Sequence, residues 1–275
     1  MWSKRFTSAV ATFALLATCQ MLGASDEVKL QRAVPFGILN RVFPIKFNQH
    51  EGTCFVVDLD DRQYIISARH LFREIKPGDP VQLFIDLRWI TLKVTPIFPE
   101  SEKTDIVALA ADQLVAPKME VLTGDEGIYV GQDVYFLGFP FNLATRFDQP
   151  VAIHLAFIKK AVLSAIDARP ESGHILYLDG HNNPGFSGGP VIFANYDQRD
   201  RLQTAGVIAG YRQQPTEVVT AEVKEAADTS DKKGKRRTVQ FVRENTGIVV
   251  AYAFSEIRKA IQLKPLGKPL AKESQ

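Results

Sequence analysis

From residue 34 onward the apolar residues of this chain fall in short runs broken by turn formers, without the three-to-four spacing of a helix. The first set covers residues 42–47, 53–59, 63–67, 81–85, 89–94 and 106–110, punctuated by Asp60-Asp61 and by Pro77-Gly78-Asp79-Pro80. A second set covers 127–130, 133–138, 151–165, 174–178, 189–193, 204–210 and 246–253. Many short β-rich runs with regular turn signals predict an all-β sandwich or barrel. The stretch 116–125 is the natural crossing between the two sets. The pattern changes to a helical period at 255–261, with Ser255 as a cap, so a C-terminal helix is predicted there. Pro265, Gly267 and Pro269 then predict the end of order, with 266–275 as a disordered tail.

Two stretches stand outside this rhythm. Lys4 and Arg5 precede an apolar run from Phe6 to about Ala17, and Gly23, Ala24 and Ser25 follow, the pattern of a secretory signal peptide over residues 1–24. The competing reading is an uncleaved N-terminal membrane anchor, for which the run is short. A lipoprotein reading through Cys19 is weaker because Thr18 is bulkier than the residue expected before a modified cysteine. Residues 213–239 form a charged insertion ending in the basic run Lys232-Lys233-Gly234-Lys235-Arg236-Arg237, with 216–223 and 238–242 able to flank it as an extended hairpin. Such a run is first a solvated loop, with an anionic docking site or a self-cleavage site as alternatives.

Composition adds bounds. A chain of 275 residues, 45% hydrophobic and 23% charged, is globular and long enough for one or two cores. Its net charge of +2 gives no argument for nucleic acid or an anionic membrane surface as partner. Signal cleavage removes Cys19 and leaves Cys54 alone, so the mature chain forms no internal disulfide. Cys54 lies in an apolar run and reads as a small buried hydrophobe. No His-Glu-x-x-His or clustered Cys/His pattern occurs, and His50, His154 and His174 have no neighbour at ligand spacing, so neither metal nor cofactor is expected.

The chemistry concentrates at Asn183-Pro184-Gly185-Phe186-Ser187-Gly188-Gly189-Pro190. A serine hydroxyl needs a base to become a nucleophile, and acyl transfer needs N–H groups aimed at the developing oxyanion. Glycines around the serine permit the dihedrals that turn such groups inward, although a plain Gly-rich turn before a strand would look the same. A base and an orienting acid are both present: His70 ends the β-rich segment Ile65-Ile66-Ser67-Ala68-Arg69-His70, and Asp105 begins Asp105-Ile106-Val107-Ala108-Leu109.

The order His70, Asp105, Ser187 resembles that of the chymotrypsin-fold, trypsin-like serine peptidases. So do Gly52-Thr53-Cys54-Phe55-Val56-Val57, Phe136-Leu137-Gly138-Phe139-Pro140, Leu178-Asp179-Gly180 and 246–253. The resemblance spans most of 35–265 and fits bacterial exported members without a PDZ module. It implies two six-stranded antiparallel β-barrels, 35–120 and 121–265, with the helix ending the second. It implies Ser187 as nucleophile, His70 as general base and acid, Asp105 as orienting group, and the N–H groups of Gly185 and Ser187 as the oxyanion hole. The substrate pocket would involve His181, Ala209, Gly210 and Tyr211. With His181 at its base, the pocket lacks a fixed negative charge, which favours small, medium or acidic side chains over Arg or Lys.

Phe186 stands where zymogen-type members carry an aspartate that pairs with a newly cut amino terminus, so activation by that cut is not expected. Ala209 falls where many members carry a serine touching the catalytic aspartate. The expected activity is hydrolysis of protein or peptide substrates by a secreted or periplasmic enzyme, without stable membrane insertion after cleavage of the leader; the oligomeric state is not legible. The alternatives are a latent or silent protease-fold peptide-binding protein, and an esterase using the same acyl transfer. The esterase reading lacks the strand-to-helix setting of a hydrolase elbow.

Overall fold

The computed structural model describes residues 34–143, 145–147, 153–169, 173–198, 201–219 and 239–271. Backbone contacts divide the chain after Val34. The leader at 1–24 and the basic run at 232–237 lie outside the described residues. The unit beginning at Pro35 holds two closed β-barrels.

The first barrel is β1 (Val42–Phe47), β2 (His50–Leu59), β3 (Arg62–Ser67), β4 (Asp79–Ile85), β5 (Arg88–Ile97) and β6 (Val107–Ala111). They hydrogen-bond in the order β3-β2-β1-β4-β5-β6, and an antiparallel β3–β6 pairing closes the ring. Asp60 and Asp61 both take positive φ, 49° and 57°, which suits the tight turn joining two right-twisted strands. Ile45, Val56, Ile65, Leu83, Leu92, Val94 and Leu109 fill the barrel. The whole run 52–57 and all of β6 are buried, so these strands are covered on both faces.

β7 (Leu122–Thr123) opens the second half, followed by β8 (Asp133–Gly138), β9 (Thr145–Phe147), β10 (Ile153–Leu155) and β11 (Phe157–Asp167). Then come β12 (Ile175–Asp179), β13 (Pro190–Asn195), β14 (Arg201–Val219) and β15 (Val239–Ala253). The ring β13-β8-β11-β12-β15-β14 closes through β13–β14, with β7 added in parallel to β14. Phe136, Leu163, Leu176, Phe186, Phe193 and Val249 fill it. The crossing segment is pinned by a buried polar cluster. Arg41 donates to Asp58 at 2.7 Å and to the Pro117 carbonyl at 2.8 Å, while Gln63 receives the N–H groups of Val115 and Ala116. These bonds satisfy backbone groups of a segment with little regular structure of its own.

Several sequence expectations are corrected. Residues 127–130 form no strand: Gly127 and Gly131 take positive φ, and the segment turns instead of pairing. The run 151–165 is not continuous: β10 pairs with β9 in a separate two-stranded sheet, and Ala156 separates it from β11. Residues 213–219 and 239–245 pair as an extension of β14 and β15, so that 216–219 with 239–242 form the extended hairpin expected beside the charged run, and 220–238 lie outside the described residues.

The helix runs over Phe254–Leu263, and Ser255 lies inside its first turn instead of capping it. Asp125 from the crossing segment receives the Ser255 N–H at 3.2 Å. Order does not end at Pro265. β16 (Lys268–Pro269) pairs with Arg62 and Gln63, the Leu270 N–H reaches the Asp61 carbonyl at 2.9 Å, and Gly267 lies where any Cβ would meet the Tyr64 ring at 2.5 Å. Neighbouring β3 still has a free edge at its start, and a glycine lets the chain reach it. Residues 272–275 lie outside the described residues.

Candidate active site

Strand β3 ends at Ser67, and the chain turns through a short 3-10 segment, Arg69–Phe72, with Leu71 and Phe72 buried. Those two apolar anchors leave the His70 imidazole on the open side. Asp105 comes from the loop entering β6, and β3 pairs with β6 directly, so the two side chains meet. Asp105 accepts twice: from the His70 backbone N–H at 2.7 Å on Oδ1, and from His70 Nδ1 at 2.6 Å on Oδ2. With Nδ1 held as the donor, Nε2 is left as the basic nitrogen. The pair is partly open to solvent, His70 at 33% and Asp105 at 24% side-chain exposure. Close to Asp105, Tyr252 on β15 donates to the Lys103 carbonyl at 2.8 Å, two residues earlier in the chain. Burial first, and the Asp105 charge second, push the Tyr252 hydroxyl above its usual pKa, so it remains a donor.

The Ser187 loop is shaped by close packing. Gly185 takes φ +103° and Gly188 φ +87°. A Cβ on Gly185 would lie 2.2 Å from the Phe139 carbonyl, and one on Gly188 would lie 2.1 Å from the Thr53 carbonyl. No side chain fits at either place. Phe186, fully buried, drops into the second barrel and meets Phe136 edge to face at 5.1 Å.

Among the five N–H groups from 185 to 189, three are consumed: Phe186 by the Asn183 carbonyl at 3.3 Å, Gly188 by Ile208 at 2.7 Å and Gly189 by Phe186 at 2.9 Å. Those of Gly185 and Ser187 donate to no acceptor among the described residues. The Ser187 hydroxyl itself points to the Ala209 carbonyl at 3.4 Å and makes no hydrogen bond to His70. Ala209 sits at a bulge in β14, where the register against β15 shifts between Ile208 and Gly210, which turns its carbonyl toward the serine.

Thr53, on β2 and fully buried, joins the two barrels at this point. Its hydroxyl donates to the Gly185 carbonyl at 2.6 Å and accepts the Phe139 N–H at 3.1 Å, while its own N–H donates to the Ser187 carbonyl at 2.9 Å. Ser67, three residues before His70, donates to the Thr53 carbonyl at 2.7 Å. One residue thus holds the serine loop, and is held by the strand that carries the histidine. In the sequence, Thr53 stands only as one residue of the motif Gly52-Thr53-Cys54-Phe55-Val56-Val57. The available signal was a hydroxyl inside an otherwise apolar run, where a buried polar group needs partners.

The expected pocket residues are placed unevenly. Gly210 opens onto space, since a Cβ there would meet nothing within 4 Å, and Tyr211 is half-buried beside it. His181 is exposed, and its backbone carbonyl receives the Lys159 ammonium at 2.5 Å. Buried Asn182, which sequence reasoning missed, binds the Gly210 carbonyl at 3.1 Å and receives the Asn245 amide on its own carbonyl at 2.7 Å. Cys54 is buried, and burial pushes its thiol far above the usual range, so it is held as the unreactive thiol. No group of three or more His, Cys, Asp or Glu side chains among the described residues is arranged to hold a metal ion.

Comparison with known proteins adds three findings. No curated protein matches the chain in sequence. Similar solved structures include two at 16% identity: the inactive form of the Rv3671c protease, with a TM-score of 0.50, covers 82% of this chain and 89% of its own; the HtrA-type protease AlgW with a tripeptide, with a TM-score of 0.52, covers 82% and 61%. The chain therefore spans about three-fifths of the AlgW chain. At that identity the likeness shows a shared fold. A profile of the trypsin-like peptidase domain matches residues 52–199, more than half of the sequence and the part that carries His70, Asp105 and Ser187. On that match, laid over two closed barrels of the same fold, this chain belongs to the trypsin-like peptidase family.

Proposed function

We propose that the chain is an exported serine endopeptidase that cleaves peptide bonds through an acyl-enzyme on Ser187. The observation that carries this reading is the division of labour around the serine: a doubly bonded His70–Asp105 pair on one side, and the two unspent N–H groups of Gly185 and Ser187 on the other. In this reading Ser187 Oγ attacks the scissile carbonyl while His70 Nε2 takes its proton. The negative oxygen is received by the two N–H groups. Collapse of the tetrahedral intermediate breaks the C–N bond, and His70 returns the proton to the leaving amine. Water then repeats the sequence to release the acid. Asp105 keeps the imidazole in the required tautomer and stabilises its protonated form.

The Ser187 rotamer favours a second reading, a latent form, because its hydroxyl rests on Ala209 O instead of on His70. Catalytic hydrogen bonds often tighten only when substrate arrives, so the rotamer is compatible with the first reading. Digestion of a peptide library separates them: cleavage by the wild type and none by Ser187→Ala supports the peptidase, and intact peptides with both support the latent form. The same library reads specificity, for which we expect small, medium or acidic side chains before the cut. A dominant Arg or Lys preference contradicts the part assigned to His181. Export follows from residues 1–24, and N-terminal sequencing of protein made in a secreting host reads it as a start near Ser25.

A further inference from the structure

The loop from His181 to Ser187 is gripped from two sides. Thr53 holds Gly185 and Ser187 from the first barrel. On the opposite side stands Lys159, on β11 across from Phe136 of β8. Its ammonium donates to the His181 carbonyl at 2.5 Å and to Asn183 Oδ1, and lies 5.3 Å from the centre of the Phe186 ring. An ammonium has three donors and no acceptor, and here two go to loop oxygens while its charge faces an aromatic ring. Asn183 is thereby fixed through its side chain, and its carbonyl in turn receives the Phe186 N–H at 3.3 Å. That turn consumes the 186 N–H and leaves those of its neighbours, 185 and 187, unspent. Among the described residues no carboxylate lies within 4.0 Å of Lys159 to draw it away, whereas Lys160, next in the strand, pairs with Asp133 at 2.8 Å. Burial also lowers the Lys159 pKa, which marks an ammonium partly stripped of water.

We propose that Lys159 is the positioning residue that holds the turn from Asn183 to Ser187 in its oxyanion-receiving shape, a role that rests on the reading of Ser187 as nucleophile. A positive charge on the barrel wall thus orders the loop from within the folded chain.

The test compares steady-state kinetics of the wild type, Lys159→Met, Lys159→Arg and Asn183→Ala on a peptide that the wild type cleaves. The expected result is a fall in kcat of about 10²-fold for Lys159→Met, comparable to loss of one oxyanion donor, with KM changed less than about 3-fold. Lys159→Arg, which keeps charge and donors, recovers to within about 10-fold of wild type. Wild-type kcat in Lys159→Met overturns the proposal, as does an arginine variant no better than the methionine one. If Lys159→Met does not fold, Asn183→Ala decides: a lower kcat at unchanged KM supports the clamp, and an unchanged kcat overturns it. Cleavage retained by Ser187→Ala would instead overturn the underlying nucleophile assignment, whatever the lysine variants do.

Discussion

The two barrels bring unequal halves to the site. The first delivers its half assembled: His70 and Asp105 share two hydrogen bonds at 2.6 and 2.7 Å, set by a β3–β6 pairing that exists for the sake of barrel closure. The second delivers a loop whose serine faces its own barrel, 3.4 Å from Ala209 O, and whose two unspent N–H groups have no acceptor among the described residues. The difference follows from chemistry. A base and its orienting acid can satisfy each other in the resting protein, but an oxyanion hole must stay unsatisfied until substrate fills it, so its shape has to be enforced from outside. In the proposed mechanism the enforcing groups are Thr53 from one side and Lys159 from the other.

Changes at the two halves therefore break different things. The largest effect is expected in Ser187→Ala, which removes the proposed nucleophile and should lower kcat about 10⁶-fold with little change in folding; loss of stability in place of turnover would show the residue to be structural. Asp105→Asn leaves the histidine in place but in the wrong tautomer, and kcat should fall about 10⁴-fold at neutral pH. A fall below tenfold would mean that the first barrel's pairing is not what sets the imidazole.

Gly188→Ala attacks the loop's shape. Its Cβ would lie 2.1 Å from Thr53 O and 2.2 Å from Ser67 Oγ, at positive φ, so urea denaturation should show a loss of about 3 kcal/mol. Thr53→Val keeps the volume and removes the hydroxyl. It strands the Gly185 carbonyl and the Phe139 N–H, which should cost about 1–3 kcal/mol and lower kcat more than it raises KM.

The smallest effect concerns Cys54. Its folded pKa is raised by burial above the unfolded value of about 8.5, so its protonated form favours the fold below that pH, and this contribution is lost as pH rises beyond it. In a chain with Cys19→Ser, a thiol reagent at pH 8 should find no reactive thiol until the protein is unfolded.

Much of this fold could be read along the chain because most of its strands are short and their turns carry Asp, Gly and Pro: residues 42–47 and 133–138 coincide with β1 and β8. What could not be read depends on partners distant in sequence. Lys268–Pro269 forms a strand only because β3 offers an edge, and 127–130 looks like a strand until its glycines are seen to turn. The His, Asp and Ser positions were legible because each sits in its own local motif. Thr53 and Lys159 were not, since a hydroxyl reaching a carbonyl 132 residues away, or an ammonium reaching a loop 22 and 24 residues on, leaves no local trace. The resemblance puts His181 at the base of the pocket, whereas its buried neighbour Asn182 makes the contact with Gly210.

In the proposed mechanism the half-sites of the two barrels act together on Ser187. The most direct measurement is labelling of the purified protein with a fluorophosphonate probe, with the adduct located by mass spectrometry, in wild type and in His70→Ala. One adduct is expected, on Ser187, formed by the wild type and lost in His70→Ala. An adduct elsewhere, equal labelling of both proteins, or a folded wild type that takes no label would contradict it.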